Sequence, residues 1–492
     1  MQIPFGEWLP DQPEHLNPGA NVATNVYYAL NSYKRFPSLV DYSSNNIGKN
    51  SRGAGSFRDN SGNVYNFVST NSDIYQLDGG TFTSRKSSLT GTNSDYWTFT
   101  QFGNYIVASN GVDAPQYFLM GTSTNFANLS AIQTAGITPN FRVSGVVRDF
   151  LITGNQSSNQ NRIQWSGIND IGVWEGKQAD QQDLPGSGGE IVHITSGEIG
   201  YVFRQNQIIR MDYVGGATVF RLSVISPNRG AVYGRTVCQD NRRVFFYADD
   251  GFFEINGDNV ISIGAEKVNR FFDLNVNKAF TDRICAAVDP FNQLALWLYP
   301  SVNNTSNTTG ICDRILIYNY ATKKWSLANA NASTIFSQFV GAYTVELMDI
   351  ISQNLDQLNI ALDTDFWSGG QLLLGAIDDD YKAAIFSGTA NEGEIETSEV
   401  ELFPGFRSSI QSVRPIVDAE ATVTVKTRDR LADNETESSS ISMNTSGINP
   451  VRQSGRYIKI NVKTPSGVAW NDAQGIDVIA SRSGLRWQIQ QI

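Results

Sequence analysis

Short runs of aromatic and β-branched residues, bounded by Gly, Asn, Asp and Ser, recur in pairs along most of the chain. Such runs are typical of antiparallel strands joined by tight turns. The closing run of each pair can be anchored on one apolar residue, at Ile74, Tyr117, Ile163, Ile208, Phe252 and Ile315. The first five anchors are spaced by about 45 residues, and the last step is longer and contains the polar insertion "SVNNTSNTTG".

A strand repeat of about 45 residues predicts a β-propeller, in which four-stranded blades surround an axis. One blade cannot bury both of its faces, whereas radial packing buries them and leaves only short edges exposed. We predict an all-β protein with a propeller of six or seven blades over residues 46–390. The run "AAIFSG" at Ile385 fits the spacing poorly and leaves the blade count open.

The pattern changes at both ends of the chain. From about residue 391 apolar and polar residues alternate strictly, which indicates a half-buried antiparallel sheet. We predict a smaller β-sandwich-like domain over residues 391–492, with a polar loop at 429–447. Residues 1–45 hold five of the 15 prolines and little periodicity, which predicts an extended N-terminal arm. The clearest alternation sets Ile458, Ile460 and Val462 against Lys459, Asn461 and Lys463.

Composition excludes several classes of function. With 37 basic and 48 acidic residues the net charge is −11. The sequence has no block of basic residues of the kind that binds nucleic acids, so classical nucleic-acid binding is not expected. The first residues do not resemble a signal peptide, and no apolar run approaches the ~20 residues of a membrane span. The three cysteines, an odd number without a CxxC pair, are expected to be buried thiols in a protein made in a reducing cytosol.

Catalytic motifs are sparse. Of the two histidines, His15 lies in the arm and His193 is predicted to be an ordinary strand residue, so neither His-based catalysis nor a His-rich metal site is expected. Asp249 and Asp250 precede Gly251, where a turn competes with a catalytic or metal-binding role. Further carboxylates could hydrolyse glycosides at a propeller hub, or bind calcium at the triple aspartate, unless they only form solvated turns: Asp363, Asp365, Asp378, Asp379 and Asp380. We assign no catalytic residue and no cofactor.

Several segments resemble one protein family. They are "WSGINDIGVWEGKQADQQDLPGSGGEIVHI", "GYVFRQNQIIRMDYVGG", "ISPNRGAVYGRTV" and "FFYADDGFFEINGDNVISIGAEKVNRFF", with "PGANVATNVYYALNSYKRFPSL" near the start and "ETSEVELFPGFRSSIQSVRPIVD" near the end. Together they resemble the tail nozzle proteins of short-tailed bacteriophages, also described as tail tubular or packaged-DNA stabilisation proteins. In "VISIGAEKVNRFF" we predict a strand and then a short helix with Val268, Phe271 and Phe272 on its apolar side.

The resemblance implies a structural virion protein of the tail, made in the host cytoplasm and without enzymatic activity. Six copies would form a ring below an adaptor ring, continue the DNA channel and close it until infection. Tail fibre or needle proteins are further expected partners, and passing DNA is expected to make only transient contacts. We expect the gate in polar insertions, with candidate residues Asn303, Asn307, Asp378, Asp379 and Asp380.

Two alternatives remain at this stage. A phage glycan-binding or glycan-hydrolysing propeller would also be rich in β-structure. A cytosolic scaffolding propeller would be monomeric and absent from virions.

Overall fold

The computed structural model describes residues 1–15, 17–185, 188–216, 218–241, 243–304, 310–339 and 372–483. β-strands dominate, and seven sets of four antiparallel strands form seven blades. In blades 1 to 5 the four strands follow one another along the chain. Blade 1 consists of Gly53–Arg58, Val64–Ser69, Ile74–Asp78 and Thr81–Lys86, blade 2 of Thr98–Phe102, Tyr105–Ser109, Gln116–Leu119 and Ala127–Asn128, and blade 3 of Phe141–Val147, Phe150–Gln156, Asn159–Trp165 and Asp180–Asp183. Blade 4 consists of Ile191–Ile194, Ile199–Arg204, Ile208–Tyr213 and Phe220–Ser226, and blade 5 of Cys238–Asp240, Arg243–Ala248, Gly251–Asn256 and Asn259–Ser262.

One long strand, Lys324–Phe339, belongs to two blades. Its first half pairs with Cys312–Asn319 and completes blade 6, which begins with Cys285–Asp289 and Leu294–Tyr299. Its second half pairs with Leu372–Asp378 and forms the first strand of blade 7. The two remaining strands of blade 7 are Ala383–Ala390 and Pro37–Asp41.

The first strands of the blades lie side by side around the axis. The ring closes where the second half of Lys324–Phe339 lies beside Gly53–Arg58 of blade 1. The predicted propeller is confirmed, and the described residues form seven blades. All six sequence anchors lie on third strands, and so does Ile385, whose spacing is long because residues 340–371 separate the first two strands of blade 7.

The second strands of several blades are buried along their whole length. All residues of Phe150–Gln156 and of Leu294–Tyr299 are buried. A strand packed on both faces by neighbouring blades is covered at every position, so it loses the alternation of a half-exposed strand. Polar residues such as Asn155 are then buried together with the apolar ones. In the described part of the chain, three short 3-10 helices lie in the loops, at Leu129–Ile132, Gly234–Thr236 and Lys278–Arg283.

The expectation of an extended arm over residues 1–45 is wrong. Most of these residues pair in sheets with segments more than 340 residues away: Pro37–Asp41 closes blade 7, and Gln2–Pro4, Ala20–Thr24 and Ser32–Arg35 join the second domain. Val26–Ala29 enters the same domain as the hairpin partner of Ser32–Arg35. Sheet edges present unpaired N–H and C=O groups that such short strands can satisfy. Strands this short carry too few residues for a periodic signal.

The second domain consists of two packed sheets. One contains Val26–Ala29, Ser32–Arg35, Ala473–Ser483, Arg407–Val417 and Gln453–Gly455, with Gln2–Pro4 paired to Ala473–Ser483. The other contains Ala20–Thr24, Gly393–Thr397, Tyr457–Thr464 and Thr422–Arg428. Part of the predicted 429–447 loop extends this second sheet through Thr436–Glu437 and Ile441–Ser442.

The alternation in the last segment is observed, because Ile458, Ile460 and Val462 are buried in the sandwich core. The polar face is more covered than expected. Lys459 is only 4% exposed, and its ammonium contacts the carboxylates of Glu14 and Glu435 at 2.6 and 2.5 Å.

One hydrophobic core joins the sandwich to blades 5 and 6. Phe252, Trp297 and Trp325 of the blades share this cluster with Trp8 of the N-terminal segment and Val413 of the sandwich. The outer strand of blade 6 also meets Ala20–Thr24 in a parallel bridge. The two domains are therefore packed as one body at this place.

The predicted short helix is present as the α-helix Asn269–Asn275, with Val268 and Phe272 fully buried. Its N-terminus is capped from a distant segment, because the Asp11 carboxylate accepts hydrogen bonds from the backbone N–H groups of Arg270 (2.9 Å) and Phe271 (2.7 Å). Within the described ranges, none of the helices has the length and apolar character of a membrane span.

Candidate functional site

The first strands of all seven blades enclose an axial cavity of about 500 Å³. Its wall contains at least one residue from each blade, for example Ala54, Phe99, Val143, Val192, Gln239, Ala287 and Ile335. Cavities of about 300 to 1,000 Å³ are typical of small-molecule sites. The axial cavity is therefore large enough for a small molecule and is lined by every blade.

Loops from opposite sides of the ring meet over one end of this cavity. The Tyr96 hydroxyl, before blade 2, donates to Oδ2 of Asp282, before blade 6, at 2.8 Å. The Arg235 guanidinium, before blade 5, lies 4.7 Å from the centre of the Tyr96 ring and donates from Nη2 to Thr334 Oγ1 at 2.9 Å. These contacts span the axis and close this end of it.

Burial keeps the Tyr96 hydroxyl protonated. It raises the pKa of Tyr96 far above the usual value of a tyrosine, and the neighbouring positive charge of Arg235 offsets only part of that effect. The hydroxyl therefore remains a hydrogen-bond donor to Asp282 throughout the physiological pH range.

Duplex DNA cannot pass along the propeller axis, because loops cross one end of the axial cavity. The Tyr96 hydroxyl donates to Asp282 across the axis, and Arg235 lies against the Tyr96 ring. The axis itself is therefore not a DNA channel.

The turn interpretation of Asp249, Asp250 and Gly251 is supported by the structure. The turn joins the second and third strands of blade 5, and Arg229 Nε donates to both carboxylate oxygens of Asp250 at 3.0 Å. Gly251 has a φ of +128°, and a Cβ there would lie 2.0 Å from Asn269 Nδ2. The turn is thus a docking point for the α-helix.

The repeat places two turns of earlier blades in correspondence with this one, at Arg204 to Asn206 and at Arg148 and Asp149, and the structure confirms only the first. Gln205 and Asn206 occupy the same position in blade 4. Arg148 and Asp149 instead join the first and second strands of blade 3, at the opposite end of the blade.

The gate candidates lie away from the axial cavity. Asn303 is exposed in the connection between the second and third strands of blade 6, and Asp378 to Asp380 lie in the corresponding turn of blade 7. Both turns are on the same face of the ring, and neither lines the cavity. Asn307, like Asp363 and Asp365, lies outside the described residues, so the gate assignment stays a prediction.

The aspartate turn of blade 7 is held by side-chain contacts. Asp378 Oδ1 accepts from the backbone N–H of Lys382 at 2.7 Å, and Lys382 Nζ binds Asp41 Oδ2 of the closing strand at 2.9 Å. Burial raises the pKa of Asp378 to about 6, and the neighbouring carboxylates add to this effect. Among the described residues, no three carboxylate, thiol or imidazole groups converge to hold a metal ion.

The other predicted positions behave as structural residues. His193 lies in the first strand of blade 4, where burial lowers its pKa to about 4 and leaves it neutral at pH 7. Cys238, Cys285 and Cys312 are buried free thiols. Burial raises the pKa of each thiol, so all three remain protonated.

The aromatic residues of the segment "YNYATKKWS" pack within and between blades. The rings of Tyr318 and Trp325 lie 4.7 Å apart, and Trp325 is 5.3 Å from Phe252 of the preceding blade.

The residues around the closed end of the axis were missed by the sequence analysis. Tyr96, Glu190, Arg235 and Asp282 all lie one to three residues before a first strand. The repeat was anchored on third strands, which are not at the axis. Aligning the residues that precede each first strand would have identified these four positions as neighbours.

Neither a protein family model nor a curated protein sequence matches the chain. Among solved structures, it is similar to the extracellular domain of a B. thetaiotaomicron hybrid two-component system, BT4673 (11% identity, TM-score 0.42, 77% of this chain and 43% of that one). It is also similar to BamB from Moraxella catarrhalis (12% identity, TM-score 0.38, 74% of this chain and 96% of that one). A third similar structure is the Cps50 (Swd1) β-propeller domain of Myceliophteria thermophila (10% identity, TM-score 0.39, 71% of this chain and 99% of that one).

The chain spans less than half the length of the first of these proteins. At such identities and TM-scores the similarities carry no argument about function. The class that the fold defines is a seven-bladed propeller joined to a β-sandwich.

Proposed function

We propose that this protein is a structural subunit of the tail nozzle of a short-tailed bacteriophage. Six copies form a ring that binds an adaptor ring, continues the DNA channel, retains packaged DNA and opens during infection. The proposal rests on the sequence resemblance, and one structural observation supports it.

That observation is the meeting of the resembling segments in space. The segment near residue 20 pairs directly with the segment near residue 395, because Ala20–Thr24 lies beside Gly393–Thr397. Both contribute to the core that also contains Phe252 and Phe272 of the central segment. Pieces far apart in sequence thus build one structural unit, as expected if they derive from one ancestral fold.

The charges and the axis are compatible with a channel between subunits. The propeller axis cannot pass a duplex, so the DNA path is the six-fold axis of the ring. A strongly basic lining would bind phosphates and release counterions, which would hold DNA in place. A chain with a net charge of −11 is suited to let DNA slide.

Mass spectrometry of purified virions tests the assignment, with cryo-EM of the tail to determine its symmetry. We expect the chain in the particle as a six-fold ring next to the adaptor. Its absence from virions, or another symmetry at this level, contradicts the proposal. Degradation of host polysaccharide by the purified protein would instead favour the glycan-hydrolysing alternative.

A point substitution is a cleaner test of subunit contacts than deletion of residues 1–20, because this deletion removes sandwich strands. Leu30 lies at the tip of the hairpin formed by Val26–Ala29 and Ser32–Arg35, and its side chain is 85% exposed. Leu30 has a φ of +50°, a conformation that asparagine adopts more readily than leucine. Leu30→Asn therefore preserves the fold while removing the apolar tip.

If the hairpin contacts a neighbouring subunit or the adaptor, Leu30→Asn reduces ring assembly without lowering the melting temperature. Normal assembly of the variant removes the hairpin from the proposed interface and leaves the nozzle assignment to the virion experiment. A gel-shift assay at 0.15 M salt adds a second check, because a sliding channel should show no appreciable duplex binding. Tight, salt-sensitive binding would favour a DNA clamp.

A further inference from the structure

Arg235 has an incompletely satisfied guanidinium on the wall of the axial cavity. Its Nη2 donates to Thr334, and its plane lies against the Tyr96 ring. Its Nη1 atom is buried and has no hydrogen-bond partner. The wall of the axial cavity includes acidic residues. Within the described ranges, however, no carboxylate lies within ion-pair distance of Arg235.

Two other charged groups of the wall belong to ion pairs, Arg142 with Asp95 at 3.0 Å and Asp282 with Arg283 at 3.3 Å. Glu190 accepts hydrogen bonds from two neutral side-chain amides and has no cationic partner within the described ranges. Burial leaves His193 neutral at pH 7, with a pKa of about 4. Among the described residues, Arg235 therefore provides the positive charge of this wall that has no ionic partner, and Glu190 provides the negative one.

We propose that the axial cavity binds a small molecule through an oxyanion, a carboxylate or phosphate group, that accepts a hydrogen bond from Nη1 of Arg235. A buried charged donor without a partner is unfavourable, and an oxyanion satisfies both its hydrogen bond and its charge. The contact with Thr334 and the Tyr96 ring fixes the guanidinium plane before the ligand binds. The cavity volume of about 500 Å³ accommodates a small molecule that carries such a group. This inference does not depend on the proposed nozzle function.

Isothermal titration calorimetry of the purified full chain tests the site, with inorganic phosphate and acetate as separate probes at matched ionic strength and pH 7.5. We expect the wild type to bind at least one probe, and Arg235→Gln to weaken that binding tenfold or more. Arg235→Lys keeps the charge but loses the planar fork, so we expect an intermediate affinity. The probe that binds more tightly identifies the oxyanion class.

Arg221→Gln provides the matched control, because Arg221 is an exposed arginine on the outer strand of blade 4. It should leave the affinity unchanged. Phosphate also stabilises proteins non-specifically, so a melting-temperature gain counts only where Arg235→Gln loses it and Arg221→Gln keeps it.

Two results overturn the proposal. One is that neither phosphate nor acetate binds to the wild type at 10 mM, as expected if water alone accepts the hydrogen bond of Arg235 Nη1. The other is equal binding by wild type and Arg235→Gln. If Arg235→Gln does not fold, the proposal is tested by comparing the affinity of the wild type with that of Arg235→Lys.

Discussion

Replacing Asp11 by alanine removes the carboxylate that caps the α-helix Asn269–Asn275. Val268, at the N-cap position of this helix, makes no side-chain capping bond, so Asp11 provides the two acceptors for the N–H groups of Arg270 and Phe271. Loss of a capping side chain costs about 0.5–2 kcal/mol. About 0.3–1 kcal/mol of this cost comes from the negative charge, which interacts favourably with the helix N-terminus. We expect Asp11→Ala to destabilise this contact by about 1.5 kcal/mol.

Hydrogen exchange is the appropriate assay, because a chain of this size is not expected to unfold in one two-state step. About 1.4 kcal/mol corresponds to a tenfold change in a local opening equilibrium, so the amides of Arg270 and Phe271 should exchange roughly ten times faster. Asp11→Asn keeps an acceptor oxygen and loses the charge, so a smaller effect is expected. Asp180→Ala, on an exposed outer strand, is the control. Unchanged exchange in Asp11→Ala, or equal effects of both substitutions at position 11, would refute the capping argument.

Three further substitutions test the fold. Gly251→Ala places a Cβ against the Asn269 side chain at a backbone φ of +128°. We expect this variant to lose at least about 2 kcal/mol of stability, seen as a lower melting temperature. An unchanged melting temperature would contradict the close contact between Gly251 and Asn269. Burial raises the folded-state pKa of Asp378 to about 6, so its contribution to stability is present below pH 4 and is lost as the pH rises to 6. The melting temperature of Asp378→Asn should therefore gain on that of the wild type over this range, and a constant difference would contradict the assignment. Arg428→Met leaves the 1%-exposed carboxylate of Glu399 without its ion-pair partner, at a local cost of about 3 kcal/mol, seen as a lower denaturation midpoint. Adding Glu399→Gln should recover much of the lost midpoint, and additive losses would show that the two side chains do not interact.

The repeat of the propeller could be predicted from the sequence because each blade encodes it locally. The spacing of the third-strand anchors reflects the length of a four-stranded unit, and a strand that packs between two blades is largely apolar wherever it lies in the ring. The same local logic identified the aspartate turn before Gly251, where a positive φ requires a residue without a Cβ. Alternation at Ile458, Ile460 and Val462 likewise identified the sandwich sheet.

Other features depend on contacts between residues that are distant in sequence. The closure of blade 7 by Pro37–Asp41 leaves no periodic signal, because a five-residue edge strand is defined by its partner. Tyr96, Arg235 and Asp282 come from three different repeats and meet only because the ring brings their loops over one axis. Local sequence therefore determined the blades and their turns, through side-chain burial and backbone conformation. Only the tertiary structure decided how the ring closes, where the N-terminal strands pair and which charges face the axial cavity.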